Sequence, residues 1–267
     1  YYLTDDKRNI KLLSGDWFRV VLNWRTDIPP TPSLFPGREG EVWYKEITNF
    51  AKPFSSKGMA QLVIKYLDPK RLRDLYLYFP PLRRTLRVGA ANRCDCVGGF
   101  TFNQDDSNCW SGDTSKFNWK LLEVKDHLVN AIRDWDYVKT GATYVRGAHH
   151  IWPKLERRKV WVIEQTPKFE GYCYSKRIYV QDPETWWFIW QEMYDRAGGL
   201  WKLLDQQYSI FPNKEETGGG GLIINVAGDC TDVKIWEAGP YDHRDIRLNI
   251  DIDPNLFTLD ALRRAGR

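Results

Sequence analysis

The sequence predicts a mainly β protein of antiparallel strands with a few short helices and long loops, and two observations carry the prediction. The first is aromatic content: 13 Trp, 14 Tyr and 12 Phe stand in a chain of 267 residues. Such side chains suit a pleated, half-buried surface and bring large amphipathic area with them. The second is a block from Arg157 to Ile210 holding four runs rich in Val, Ile, Tyr, Trp and Phe. These runs, residues 158–165, 176–181, 185–194 and 200–210, read as successive strands. Asp182-Pro183-Glu184 and Asp195-Arg196-Ala197-Gly198-Gly199 supply compact turns. By simple alternation Trp186, Phe188 and Trp190 point to one side of the third strand, and Trp187, Ile189 and Met193 to the other. Neither face is plainly polar at its start, so both need cover: the protein's own core on one, a cavity, partner or lipid on the other.

The remaining elements extend this block. Residues 16–24, DWFRVVLNW, read as a first strand, and the proline-rich stretch 27–40 as a loop. Residues 41–50 fit a strand or a short helix. Residues 58–67 and 74–79 are neighbouring strands, with Asp68-Pro69-Lys70 opening the turn between them, and after Pro80-Pro81 a strand resumes over 82–88. From 89 to 114 periodicity gives way to Gly, Asn, Asp and Cys, a loop of the length that is commonly functional. Residues 117–124 are expected as a strand, followed by a short helical piece reaching Ile132, and 134–150 as loop. Gly218 to Gly221 is a flexible turn. Three short strands follow at 222–226, 233–237 and 246–252, the last alternating Ile246, Leu248, Ile250 and Ile252 with polar neighbours. Thr258 caps a short C-terminal helix. No fixed period repeats along the chain.

Size and charge narrow the class. A chain of 31.4 kDa buries a sizeable core, and we expect one domain over residues 1–267. The net charge of +4 is a small difference between 39 basic and 35 acidic residues, which offers no case for nucleic acid. No run approaches the roughly 18 apolar residues of a membrane-spanning helix. The chain opens on Tyr1-Tyr2-Leu3-Thr4 without a Met or a signal peptide, so an N-terminal part is expected to have been removed or to be absent.

The residues that carry chemistry give few signals. The cysteines are Cys94, Cys96, Cys109, Cys173 and Cys230, and an odd number leaves at least one outside any intrachain pair. Cys94-Asp95-Cys96 with Cys109 downstream leaves three readings open: thiolates for a metal, a disulfide from Cys109 to Cys94 or Cys96, or unpaired thiols. His149-His150 and His243 have no second ligand at helical or strand spacing and are assigned to surface or loop. Asp105-Asp106 and Asp251/Asp253 lack the ligand pattern of a calcium loop and are read as turn and capping residues. There is no nucleophile elbow, Walker A loop, HExxH or dinucleotide fingerprint. We therefore expect no cofactor, no metal and no enzymatic activity; a hydrolase with paired carboxylates among the 35 acids is the least favoured reading.

A family likeness joins these segments. Tyr76-Leu77-Tyr78-Phe79-Pro80-Pro81-Leu82-Arg83-Arg84-Thr85-Leu86-Arg87 resembles the YLPxLRRxRR segment of bacterial DUF1329 proteins, and 99–106, GFTFNQDD, their GsdfxxdD loop. Residues 158–164, RKVWVIE, are similar to their RRVWVxE strand, and 176–186, KRIYVQDPETW, to their KRxxYxDxdTW segment. Residues 194–201 and 257–267 fit as well. The resemblance implies the fold of the lipoprotein carriers LolA and LolB, a strongly curved antiparallel half-barrel whose concave side is closed by helices or loops around an apolar cavity. It also implies a Gram-negative envelope protein, in the periplasm or on the periplasmic face of the outer membrane, handling lipid or other hydrophobic cargo and linked with RND-type transporters. Two departures stand out. Most of the family's N-terminal region is expected to be absent, and the cysteines of the 89–114 loop are unexpected, which suggests a lineage-specific staple formed among Cys94, Cys96 and Cys109.

The expected site follows. Tyr76, Tyr78, Trp161, Tyr179, Trp186, Phe188, Trp190 and Trp201 are candidates to line a cavity for a hydrophobic small molecule, lipid or acyl group, against the plainer role of filling the protein's own core. Arg83, Arg84 and Arg87 are candidates to hold an anionic headgroup or an acidic partner, against a solvated outer face with ion pairs. On a continuous strand Arg83 and Arg87 share a face and Arg84 takes the other. The leading expectation is a carrier or sensor of hydrophobic ligand within an envelope transport system; the alternative is a structural subunit of an envelope assembly.

Overall fold

The computed structural model describes residues 2–5, 9–26, 29–38, 40–89, 94–96, 99–132, 155–211, 222–243 and 245–265. Contacts divide the chain into two compact units, residues 1–11 with 93–248 and residues 12–92 with 249–267. The protein is mainly β and antiparallel, and its described residues form one ten-stranded and one five-stranded sheet, neither of them closed there, in place of the single sheet implied by the resemblance. Among the described residues no helix is long and apolar enough to cross a membrane.

The chain opens with β1 (Tyr2–Thr4) and β2 (Asn9–Leu12), which join the larger sheet, and then builds the smaller one as a meander. Its strands are β3 (Ser14–Val21), β4 (Val42–Lys52), β5 (Ala60–Tyr66), β6 (Asp74–Phe79) and β7 (Arg84–Val88). Residues 41–50, ambiguous in sequence, are a strand because β4 is the inner partner of both β3 and β5, with Ile47 opposite Phe18 and Leu62. Val20, Ile47, Ala60, Leu62 and Tyr78 form the core, and helix α1 (Leu259–Ala265) lays Leu262 onto it. Each such buried aliphatic side chain contributes about 1.5–3 kcal/mol. Thr258 caps the helix as expected, its Oγ1 accepting the Ala261 N–H at 3.1 Å.

The larger sheet continues with β8 (Phe117–Asn130), β9 (Leu155–Pro167), β10 (Lys176–Gln181), β11 (Phe188–Tyr194), β12 (Leu200–Phe211), β13 (Leu222–Asp232), β14 (Glu237–Ala238) and β15 (Tyr241–Asp242). Its order is β2-β1-β14-β13-β12-β11-β10-β9-β8, with β15 beside β13. Gly228 is required on β13, because a Cβ there would meet the Asp205 carbonyl oxygen at 2.7 Å and the Tyr241 hydroxyl at 2.6 Å.

Four expectations need correction. The helical piece before Ile132 does not form: β8 runs to Asn130 and pairs with β9 along its length. A bulge between Leu121 and Glu123 sets two leucines in succession, and that break in alternation imitates helical spacing. The strand expected over 82–88 starts at Arg84, because Pro80-Pro81-Leu82 make a 3₁₀ turn that ends on Arg83 at φ 50°. Residues 233–236 are a turn, with Trp236 at φ 55°, and pairing begins again only at Glu237. No strand forms over the described part of 246–252; Ile252 packs on the smaller sheet's core while Ile250 is exposed. The segments 134–150, with His149-His150, and 218–221 lie outside the described residues.

Candidate functional site

Register decides what each face of β9 to β13 holds. Arg177 lies opposite Gln165 and Met193, Tyr179 opposite Ile163 and Gln191, and Gln191 opposite Leu204, so these share one face. Val180 lies opposite Val162 and Trp190, Trp190 opposite Asp205, and Asp205 opposite Asp229, so these share the other. Alternation breaks once. Val180 pairs with Trp190 but Gln181 with Phe188, which leaves Ile189 as an extra residue. That bulge turns Phe188 toward Tyr179, ring centroids 4.4 Å apart, and sets Ile189 and Trp190 together against Val180. The expected grouping of Trp186, Phe188 and Trp190 on one side is therefore wrong. Trp186 precedes the strand, in a turn at φ 64°.

The first face is filled by the chain itself. Asp106 accepts from Arg177 Nη2 at 2.7 Å, from the Tyr174 hydroxyl at 3.0 Å and from the Asn103 N–H at 2.9 Å. The Gln191 side chain accepts from Arg177 Nε at 2.9 Å and donates to the Cys109 carbonyl at 2.8 Å. Gln165 Oε1 accepts from Arg177 Nη1 and the Tyr179 hydroxyl, both at 3.2 Å. The guanidinium also lies over the Trp110 and Tyr174 rings, at 4.8 and 4.7 Å. A fully buried ion pair survives only with its remaining lone pairs and protons satisfied in this way. Trp110, Phe117, Trp119, Tyr179 and Phe188 pack ring against ring around it. Tyr179 thus sits in core with the half-buried Phe188 packed on it, and Asp105-Asp106 are buried core residues as well as turn formers.

The second face carries Val129, Val160, Val180 and Ile189, with Trp190 packed against them. Beside Ile189 lies a cavity of about 10 Å³, bounded by Tyr208 and Ile223 and, on its polar side, by Asn130, Arg158 and Asp182. That is room for about one water molecule. Arg158 is committed to Asp182 and to Glu156. At the same end Asn130 Nδ2 donates to the Gln206 carbonyl at 3.3 Å, linking the last strand of the sheet to β12. Leu128, Leu155, Trp186, Ile210 and Leu222 stand exposed where the strands end here.

Past Trp190 this face turns polar. Asp205 Oδ1 accepts the Asp229 N–H at 3.0 Å, and the Thr231 hydroxyl donates to Asp229 Oδ2 at 3.2 Å. Burial pushes both carboxyls upward, Asp229 to about 7, and for Asp205 the neighbouring Asp229 charge adds to the effect. Sequence reading passed over both residues, since neither belongs to a motif.

The other expected residues disperse. Trp161 meets Trp186 edge to face at 5.3 Å. Trp201 lies at the opposite end of the sheet, its Nε1 donating to Asp232 at 2.8 Å. Tyr76 and Tyr78 belong to the smaller unit, where Tyr78 is core and Tyr76 packs on it. Arg83 stands outside the strand, so it does not share a strand face with Arg87; Arg84 and Arg87 are on β7, and Arg87 Nη2 donates to Asp74 at 2.5 Å. Hydrogen bonds from Tyr66 and Arg87 outweigh the burial that raises the Asp74 carboxyl and hold it below its usual range. In the same unit an open groove of about 440 Å³ runs between β5 and α1, with Lys45 and Arg263 on its walls.

Of the three cysteines expected to form a staple, Cys94 does enter a disulfide, but not with either of the others. Cys94 pairs with Cys173, 79 residues away, and Cys96 and Cys109 are free. Cys109 is fully buried, its carbonyl held by Gln191, and the Cys173 N–H donates to Cys94 Sγ at 3.1 Å. Burial pushes the Cys109 and Cys230 thiols well above their usual range, which makes them poor thiolate ligands. Among the described residues no three His, Cys, Asp or Glu side chains converge on a metal position.

Comparison with known proteins gives this arrangement a setting. The model of a family described as "Protein of unknown function (DUF1329)" matches residues 16–260. A DUF1329 family protein from Desulfovibrio piger superposes with a TM-score of 0.64 at 15% identity, over 98% of this chain and 88% of the other. A domain from Vibrio parahaemolyticus, provisionally described as an outer membrane lipoprotein-sorting protein, superposes with a TM-score of 0.61 at 21% identity, over 84% and 79%. A LolA superfamily protein from Nitrosomonas europaea does so with a TM-score of 0.50 at 18% identity, over 81% and 77%. No curated protein matches significantly.

Proposed function

This chain belongs to the DUF1329 family, and on that footing we propose that it is a non-enzymatic carrier of the bacterial envelope. In this reading it holds a lipid, acyl chain or similar hydrophobic group on the valine-bearing face of its larger sheet. It works in the periplasm or on the periplasmic face of the outer membrane, alongside an RND-type transporter or another envelope protein. The LolA-like fold supports the cargo class. The observation that carries the reading is the hydrogen bond from Asn130 to Gln206. Flat strands four places apart would hold these residues roughly 19 Å from each other. Their contact favours a sheet that bends toward a half-barrel around Val129, Val160, Val180 and Ile189. The exposed apolar rim at that end suits a mouth through which cargo passes.

The present cavity is water-sized, so loading requires the lining side chains to part. Eight to ten buried methylenes contribute about 6–8 kcal/mol before association costs. Native mass spectrometry of gently purified protein is the test. We expect an adduct of lipid mass that organic extraction removes and incubation with vesicles restores. Protein that neither carries lipid nor takes it up would sink the reading.

A second reading rests on β8, the terminal strand of the larger sheet among the described residues, which exposes Leu121, Leu122, Val124 and Leu128. An apolar edge of this kind suits a subunit of an envelope assembly. Light scattering after size exclusion separates the two, since a monomer that binds lipid excludes the second.

A further inference from the structure

The second face of the larger sheet ends in buried polar atoms that the fold leaves unused. Asp205 and Gln207 lie two residues apart on β12, and register sets Asp229 opposite Asp205 and Ala227 opposite Gln207. All three polar side chains are buried, Gln207 completely. After the bonds from Thr231 and the Asp229 N–H are counted, Asp229 Oδ1 and both polar atoms of the Gln207 amide have no partner among the described residues. No cation balances either carboxyl among the described residues. Lys202, on the same strand, lies on the opposite face, with Nζ 3.6 Å from Cys96 Sγ. An unfilled buried polar group costs about 1–3 kcal/mol; orphaned N–H groups also occur beside Arg177, at Gln165 and Trp110, but here the three orphaned atoms adjoin two buried carboxyls that no cation among the described residues answers.

The chemistry of these groups points one way. Two carboxyls and an amide oxygen accept hydrogen bonds, and a primary ammonium brings three N–H donors with one positive charge. Register sets Trp190 beside Asp205 on the same face, an aromatic neighbour of the kind that favours a bound cation. Val160, Val180, Trp190, Asp205 and Asp229 follow one another on consecutive strands, so the face grades from apolar to acidic across the sheet. We propose that Asp205, Gln207 and Asp229 hold the primary ammonium head of an amphiphilic cargo whose chain lies over the valine cluster. The raised carboxyls fit: burial and mutual repulsion favour a proton on the pair, and an arriving ammonium would displace it to solvent. The proposal rests on the carrier reading and names the class of cargo.

Titration calorimetry below the micelle concentration tests it with three twelve-carbon amphiphiles, dodecylammonium, laurate and dodecyl maltoside, together with lysophosphatidylethanolamine. Dodecylammonium is expected to bind about tenfold tighter than laurate. Asp205→Asn combined with Asp229→Asn should bring the two together while leaving dodecyl maltoside unchanged, which also reports on folding. Single Asp229→Asn, which mimics the protonated acid, should lose part of the preference. Lysophosphatidylethanolamine binding as well as dodecylammonium would identify the head group as a lipid's, and binding markedly weaker a free amine's. Equal affinity of the intact protein for dodecylammonium and laurate, or a preference that survives in the double variant, overturns the proposal. If none of the amphiphiles binds, the carrier reading fails and this proposal with it.

Discussion

The two faces of the larger sheet handle buried charge in opposite ways. On one, Asp106 meets Arg177 at 2.7 Å, and the guanidinium is further held by Gln165 and Gln191. On the other, Asp205 and Asp229 face each other with no cation among the described residues, and Gln207 beside them has no hydrogen-bond partner there. A single strand, β12, borders both environments, so composition does not explain the contrast. Where a buried charge meets its opposite, the group is structural, even with the Gln165 and Trp110 N–H groups beside it left over; where burial is as deep and no cation among the described residues answers it, the charge invites a partner from outside.

The largest effect should come from breaking the answered pair. Arg177→Met leaves Asp106 as an uncompensated buried carboxylate and should destabilise the protein by about 3–5 kcal/mol in urea unfolding. Combining it with Asp106→Leu should recover much of that loss. A cost below about 1 kcal/mol for the single change would erase the distinction between the faces. The unanswered pair should behave in reverse. Because the folded pKa of Asp229 is raised to about 7, its contribution to stability is fully present below the unfolded value. It is lost as pH rises through 7, amounting to roughly 4 kcal/mol by linkage. Other carboxylates, Asp74 and Asp195 among them, have lowered values and act oppositely at acid pH. The readout is therefore a difference: Asp229→Asn should flatten the decline in stability between about pH 4 and 7, and an unchanged profile would show that this carboxyl is not buried as described.

Much of the smaller scale was legible in the sequence, and the pairings were not. β6 and β10 have the expected limits, because Pro80-Pro81 and Asp182-Pro183 end them with turn chemistry that no neighbour can override. The family likeness placed the chain in DUF1329 and its β class correctly. What failed depends on insertions or on distance. One extra residue at Leu122 made a strand look helical, and one at Ile189 reassigned the aromatic faces; alternation has no means of announcing a bulge. Arg177 and Asp106 are 71 residues apart, and Cys94 and Cys173 79. Neither pair leaves a local signal, so the cysteines close at hand, Cys96 and Cys109, drew the expectation instead.

The smallest of the three effects concerns that staple. Cys94–Cys173 ties the segment bearing Asp106 and Trp110 to the strand side of the answered face, and it has no part in the valine cluster or the acid pair. Replacing both cysteines with serine, so that no new free thiol remains, should lower stability by about 2–4 kcal/mol through the added freedom of the unfolded chain. Amide exchange should rise over residues 99–113 and leave β12 and β13 near Asp205 and Asp229 protected. The preference for dodecylammonium should be intact, because its determinants lie across the sheet. If the serine variant instead lost that preference along with its stability, the two faces would be one cooperative site, and the orphaned atoms beside Asp205 would need an explanation in the packing of the whole unit.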